Sequence, residues 1–349
     1  MGIFDQIVWE KSVFRNEGVL DYTYMPSQVL FRENEQKEIV GSLKPLIFDR
    51  LPRNMYIYGQ PGVGKTVCVK KVLEDLGEFT SDIYSTYVDL WSYRTTNAIY
   101  TEIARQMKMP FVSGRSSEFI AERIKERITA KKGAVFVFDE VDKAKDQMFL
   151  YNVLTNFDKV CTIIITNDQT YMQAVDARIS SRLTPYYMEF KPYTIEQINE
   201  ILAERKRAAF MSGVMPEEAF DLIVEETFKY NDIRLGLFLL SESGKIADYN
   251  NSDKISADYV SEAVKRIGTF KNKTSSVGLN KEEKTILNIV GENQGLTTSE
   301  LYGLYVERGG SLSERSLRRY LEKLSSINMV NVNEIRGGIR GRSFQVFIK

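Results

Sequence analysis

The stretch at residues 55–76, MYIYGQPGVGKTVCVKKVLEDL, restricts the fold of this chain more than any other. A strand-length run, MYIY, leads into the octet Gly59, Gln60, Pro61, Gly62, Val63, Gly64, Lys65, Thr66, which matches GxxxxGK[ST] and opens an amphipathic helix. Glycines let successive backbone N–H groups turn toward one point, and the helix start adds its partial positive charge there. Lys65 then reaches terminal phosphates, and Thr66 supplies a hydroxyl for a magnesium ion. A strand that passes into a helix through such a loop implies a parallel sheet rather than hairpins.

The rest of the chain agrees with that class. Short apolar runs recur as STYVDL, AVFVFDE and CTIIITN, separated by helical stretches, which predicts an α/β fold with helices on both faces of the sheet. Beyond Tyr193 the strand signals stop and four helical runs follow, beginning TIEQINEILAERKRAAF. With 349 residues, two or three domains are expected. The predicted division is a P-loop base at 1–192, an all-α lid at 193–270, a linker at 271–280 (KNKTSSVGLN) and a C-terminal domain at 281–349. That last part reads as three short helices followed by strands MVNVNEI and SFQVFIK around the turn RGGIRGR, the pattern of a winged helix-turn-helix.

Two strand ends complete a candidate site. AVFVFDEVD closes on paired carboxylates, where Asp139 would hold the magnesium shell and Glu140 would polarise an attacking water. CTIIITN ends on Asn167, whose amide can touch both a γ-phosphate and that water. The chain has no histidine, which excludes His-dependent triads and His-ligated zinc sites. Its two cysteines, Cys68 and Cys161, lack metal-ligand spacing and read as buried apolar side chains in a reducing compartment. No apolar run approaches the length of a membrane span and the N-terminus shows no signal-peptide core, so a cytoplasmic protein without membrane contact is expected.

Charge cancels over the whole molecule, with 47 basic and 47 acidic side chains. It does not cancel locally. From Leu312 onward eight basic side chains face three acidic ones, a net +5. In SERSLRRYLEKL the residues Leu317, Leu321 and Leu324 share one helical face, leaving Arg315, Arg318 and Arg319 to point elsewhere. Those arginines can reach base edges or phosphates, and Arg336, Arg340 and Arg342 on the Gly-rich wing can enter an adjacent minor groove.

With these motifs in order, the chain resembles the AAA+ ATPases and, within them, the archaeal Orc1/Cdc6 replication initiators. The segment YTYMPSQVLFRENE at 22–35 is similar to the family's Tyr, Pro and Arg-Glu segment leading to the adenine pocket. DARISSRLTPYYMEFKPYTIEQI at 176–198 resembles its arginine-finger box, and NDIRLGL at 231–237 its sensor-2 motif. Asn231 departs from the glycine usual there. The resemblance implies ATP or ADP with Mg2+ as cofactor, Asn167 as sensor 1, Arg234 as sensor 2, and Tyr193 and Arg205 as nucleotide contacts. It implies Arg182, with Arg178 as a competitor, as a finger completing a neighbour's site. A second DNA contact would lie in the base insertion at 108–117. The function implied is a slow ATPase that binds origin duplex DNA and works with initiator paralogs and the replicative helicase. A nucleotide-dependent transcriptional regulator and a clamp or helicase loader stand as alternatives.

Overall fold

The computed structural model describes residues 12–275, 281–293, 295–310, 312–326, 330–335 and 343–348. The chain divides into two compact units at Ala263 and Val264.

The first unit is built on five strands: β1 (Met55–Gly59), β2 (Ile83–Asp89), β3 (Gly133–Asp139), β4 (Val160–Thr166) and β5 (Tyr186–Phe190). They pair in parallel in the order β2-β3-β4-β1-β5. Strand periodicity sorts their side chains onto two cores. Val135 and Val137 of β3 join Ile57 and Ile163 beneath α1 (Glu33–Ile47) and α2 (Lys65–Phe79). Phe136 and Phe138 join Tyr56 and Ile164 on the opposite face, against α3 (Thr96–Gln106), α4 (Ser117–Thr129), α5 (Met148–Asn156) and α6 (Ala177–Leu183). Because β1, β4 and β3 are neighbours, the loop after Gly59, Asn167 after β4 and Asp139 at the end of β3 emerge side by side at the carboxyl edge of the sheet, where open α/β sheets place ligands.

The strand β5 is absent from the sequence reading. Its alternation of half-exposed and buried residues is short, flanked by Pro185 and Pro192, and lies at a sheet edge, so only pairing with β1 identifies it. At the opposite edge, the Gln106 side chain accepts from the Tyr87 N–H at 2.9 Å and donates to its carbonyl at 2.6 Å, covering main-chain groups that an edge strand otherwise exposes.

The lid comprises α7 (Ile195–Ala209), α8 (Glu217–Tyr230), α9 (Ile233–Tyr249) and the start of α10 (Ala257–Ser275). A capping box of Thr194 and Gln197 starts α7, and the side chain of Asp232 caps α9. Helix α10 runs to Ser275, so residues 271–275 of the expected linker are helical, and 276–280 lie outside the described residues. The sequence KNKTS carries no helix breaker, and its lack of large apolar residues is compatible with a helix end.

The first described residues strap onto this lid. The main-chain N–H groups of Arg15 and Asn16 donate to the Ala209 carbonyl, and Phe14 stacks on Phe210 at 5.0 Å. Asp248 accepts from the Ser12 hydroxyl at 2.6 Å and the Val13 N–H at 2.8 Å. From there the chain crosses to the base, where α1 begins.

The second unit holds α11 (Lys281–Glu292), α12 (Thr298–Glu307) and α13 (Glu314–Ser326) with an antiparallel sheet ordered β6 (Leu296–Thr297), β8 (Ser343–Ile348), β7 (Val330–Ile335). The two-residue strand β6 was too short for the sequence to announce. Leu317, Leu321 and Leu324 of α13 pack with Ile286, Ile289, Leu301, Tyr305 and Val346 into its core.

Candidate nucleotide-binding site

A cleft of about 440 Å³ opens between the base, the strap and the lid of the first unit. Gly62, Gly64, Lys65 and Thr66 of the loop line it, together with Asp139, Glu140, Asn167, Tyr193, Arg205 and Arg234. The sequence scattered these residues over 173 positions, from Gly62 to Arg234, and the sheet order and lid bring them to one place.

The loop is glycine-bound for measurable reasons. Gly62 and Gly64 hold φ of 76° and 90°, in the left-handed region. A Cβ at Gly62 would stand 2.0 Å from the Asp232 carboxylate, and one at Gly64 would stand 2.6 Å from the Tyr193 hydroxyl. Lys65, 7% exposed, donates to the carbonyls of Gly59 and Gln60 at 2.8 Å and to Asn167 Oδ1 at 2.7 Å. Burial pushes its pKa down to about 8, against the opposing pull of Asp139 and Glu140.

Thr66 Oγ1 donates to Asp139 Oδ2 at 2.6 Å, and the Glu140 N–H donates to Asp139 Oδ1 at 2.8 Å. A hydroxyl beside a buried carboxylate at the helix start is a donor set of hard oxygens, which fits Mg2+. Asn167 bridges two of the expected groups, since its amide also donates to both oxygens of Glu140 at 3.0 and 3.2 Å. Burial, then the neighbouring Asp139 and Asp142, raise the Glu140 carboxyl above its ordinary range.

The candidates meet the cleft in different ways, and some lie outside it. Val63 turns its side chain into the core, and Gly59 and Gln60 offer Lys65 their carbonyls from outside the lining. Tyr193 is buried with its hydroxyl accepting from Arg32 at 3.1 Å. Arg205 reaches the Val19 carbonyl at 3.4 Å and lies 4.8 Å from the Tyr24 ring. On α6, Arg182 and Arg178 lie over Tyr151, away from this cleft, and Arg178 is paired with Asp176 at 2.8 Å. In the second unit Arg315, Arg318 and Arg319 are exposed on α13, and Arg318 pairs with Glu314 at 2.7 Å. Arg336, Arg340 and Arg342 lie outside the described residues. The insertion at 108–117 is an irregular loop between α3 and α4 until its last residue, with Phe111 88% exposed.

Two residues have roles here that the sequence did not assign, Arg32 standing only within the Arg-Glu of the segment at 22–35 and Tyr87 only within a strand. Arg32, 5% exposed, gives Nε and Nη2 to the Val63 carbonyl at 3.1 and 2.9 Å and Nη2 to the Lys191 carbonyl at 2.7 Å, while its guanidinium lies 4.0 Å from the Tyr193 ring centre. Tyr87 donates its hydroxyl to Asp139 Oδ2 at 2.7 Å.

The comparisons with known proteins bear on this geometry. The AAA domain family model matches residues 49–168, and the Cdc6 AAA+ ATPase-type lid domain model matches residues 199–265. The ORC1-type DNA replication protein of Cenarchaeum symbiosum is 29% identical over 360 residues, covering 95% of this chain and 88% of its own length. ORC1-type DNA replication protein 2 of Methanothermobacter thermautotrophicus is 26% identical, covering 98% and 93%. The solved structure of the Aeropyrum pernix ORC1 protein in complex with DNA shares the fold, with a TM-score of 0.81 at 24% identity over 97% of this chain and 94% of that one. The ADPNP–ADP complexes of Aeropyrum pernix ORC2 give a TM-score of 0.70 at 18% identity, covering 96% and 94%. Among the described residues no helix is long and apolar enough to cross a membrane. Residues 49–168 thus match an AAA domain and residues 199–265 a Cdc6 AAA+ ATPase-type lid, the loop, strand ends and lid enclose one cleft, and the chain is similar nearly end to end to ORC1-type DNA replication proteins.

Proposed function

We propose that this chain is a replication initiator in which ATP, held in the cleft, controls how the second unit grips duplex DNA at an origin. The observation that carries the reading is that Lys65 of the loop, Asp139, Glu140 and Asn167 at the strand ends, and Arg234 of the lid line a single cleft. A nucleotide there touches base and lid at once, so its phosphate state becomes a difference in their arrangement. Mg2+ would be held by Thr66 and Asp139 and would screen the phosphate charge; Glu140, held by Asn167, would orient the water. The restraint of Glu140 by Asn167 favours slow turnover, with the nucleotide acting as a switch.

For the DNA contact, the helix, short strand, two helices and hairpin of the second unit support a winged helix-turn-helix in which α13 presents Arg315, Arg318 and Arg319. Arg336, Arg340 and Arg342 would add the wing. The reading as an initiator is supported by the ORC1-type replication proteins that align along the chain, and a duplex partner by the DNA complex of Aeropyrum pernix ORC1. Arg182, exposed on α6, is free of this chain's own cleft and is the proposed finger for a neighbour's nucleotide. Initiator paralogs and a replicative helicase would be the protein partners.

Lys65→Ala tests the control point. ATP affinity should fall by about 100-fold, the scale of a lost charged hydrogen-bond donor. The wild type should bind origin duplex with a different affinity when ATP is present, and the variant should lose that difference. Unchanged ATP affinity would remove the phosphate site; DNA binding indifferent to ATP in the wild type would remove the control.

A further inference from the structure

Arg234 already holds an anion. Its Nε donates to Asp232 Oδ1 at 3.0 Å and its Nη2 to Asp232 Oδ2 at 2.8 Å, the paired geometry with which a guanidinium takes a carboxylate or a phosphate. Asp232 is fixed in place by a second task, because its Oδ1 also accepts the Arg234 backbone N–H at 3.0 Å as the cap of α9. It is fixed a third time by position. The Asp232 Cα lies 2.8 Å from where a Cβ would stand on Gly62, and the Ile233 N–H donates to the Gly62 carbonyl at 3.4 Å. A carboxylate is thus packed directly on the phosphate-binding loop, with the lid arginine folded back upon it.

We propose that Asp232 is a positioning residue that holds Arg234 in reserve: its carboxylate occupies the guanidinium fork until a γ-phosphate displaces it, so Asp232 sets how strongly the protein prefers ATP to ADP. The proposal rests on the reading of Arg234 as a phosphate-binding group. The exchange is physically cheap. The pair is partly open to solvent, with side chains 56% and 26% exposed, so water screens it and little is lost when it opens. Asp232 keeps its helix cap when Arg234 leaves, and the positive end of α9 continues to offset its charge. Lys65 and the loop hold the phosphates shared by both nucleotides, whereas the lid arginine gains only when a third phosphate is present.

The test is the ratio of affinities for AMP-PNP and ADP, measured calorimetrically with Mg2+ on the full chain. Asp232→Asn keeps the shape and the cap while removing the charge, and Asp232→Ser provides a second uncharged cap. Both should raise the preference for AMP-PNP by about fivefold, the scale of releasing an exposed ion pair. In an Arg234→Ala background neither should change it. If Arg234→Ala itself leaves the ratio unaltered, the phosphate-binding reading of Arg234 fails. If Arg234→Ala lowers the ratio but Asp232→Asn leaves it unchanged or lowers it, Asp232 does not compete for the arginine and the proposal is overturned. A rise that persists without Arg234 overturns it too, since the carboxylate would then act on the phosphates directly.

Discussion

Arg32 commits its guanidinium to the main chain of two segments far apart in sequence, the phosphate loop at Val63 and the approach to the lid at Lys191. A lysine cannot do this, because a point charge lacks the fork that serves several carbonyls at once. Arg32→Ala should therefore cost about 3 kcal/mol, the scale of leaving buried partners unsatisfied, and Arg32→Lys should recover only part of it. Thermal unfolding of the nucleotide-free protein measures both; a drop in stability no larger than for an exposed arginine such as Arg315 would show that the loop does not depend on the clamp. Legibility divides along the same line. Lys65, Thr66, Asp139 and Asn167 were readable because each sits at a fixed offset from a strand end or a glycine pattern. The clamp made by Arg32, though the residue stands in the segment at 22–35, and the contact made by Tyr87 were not, since what gives them meaning is Val63 or Asp139, brought near only by the fold.

Among elements, the sequence marked the helices and the four interior-facing apolar runs, where periodicity and length agree, and missed the pieces that depend on partners. Strand β5 exists through its register with β1, and β6 through two residues opposite Val346 and Gln345. The arginines of the finger box were legible as residues, and the fold puts them on α6 over Tyr151, outside this chain's own cleft, as a group expected to serve a neighbour's site would be. What joins lid to base is the start of α9 against Gly62. Gly62→Ala puts a methyl 2.0 Å from the Asp232 carboxylate at a φ of 76°, which costs about 1–2 kcal/mol in backbone strain before any movement of the helix. ATP affinity should fall by at least about tenfold. Gly77→Ala is the control: it lies within α2 with nothing inside 4 Å of the new methyl and should raise stability by about 1 kcal/mol. Equal ATP affinity in the two variants would argue that the lid does not need to rest on the loop.

At the scale of the molecule, the two thiols report on the first unit as a whole. Cys68 and Cys161 lie in the core beneath α1 and α2, where burial pushes the Cys68 thiol up to about 12 and Cys161 higher still. Neither should react with a disulfide reagent at neutral pH until that core opens, and both should react in denaturant. ATP at 100 times its dissociation constant should slow the native-state reaction by about 100-fold, since binding the folded form alone adds about 2.7 kcal/mol. Fast labelling of either thiol in the native protein would contradict the packing described for α2.

The strap has a consequence for how such a chain comes to be made. Ser12 and Val13 leave the ribosome long before the carboxylate that receives them, which belongs to Asp248, 236 and 235 positions later. Sheet and loop can assemble as they emerge, but this closure waits on distant chain and must bring its ends together after most of the unit is synthesised. The roof over the cleft is therefore the last part of the first unit to be set in place, and a nascent chain stalled before Asp248 would carry a phosphate loop without its cover.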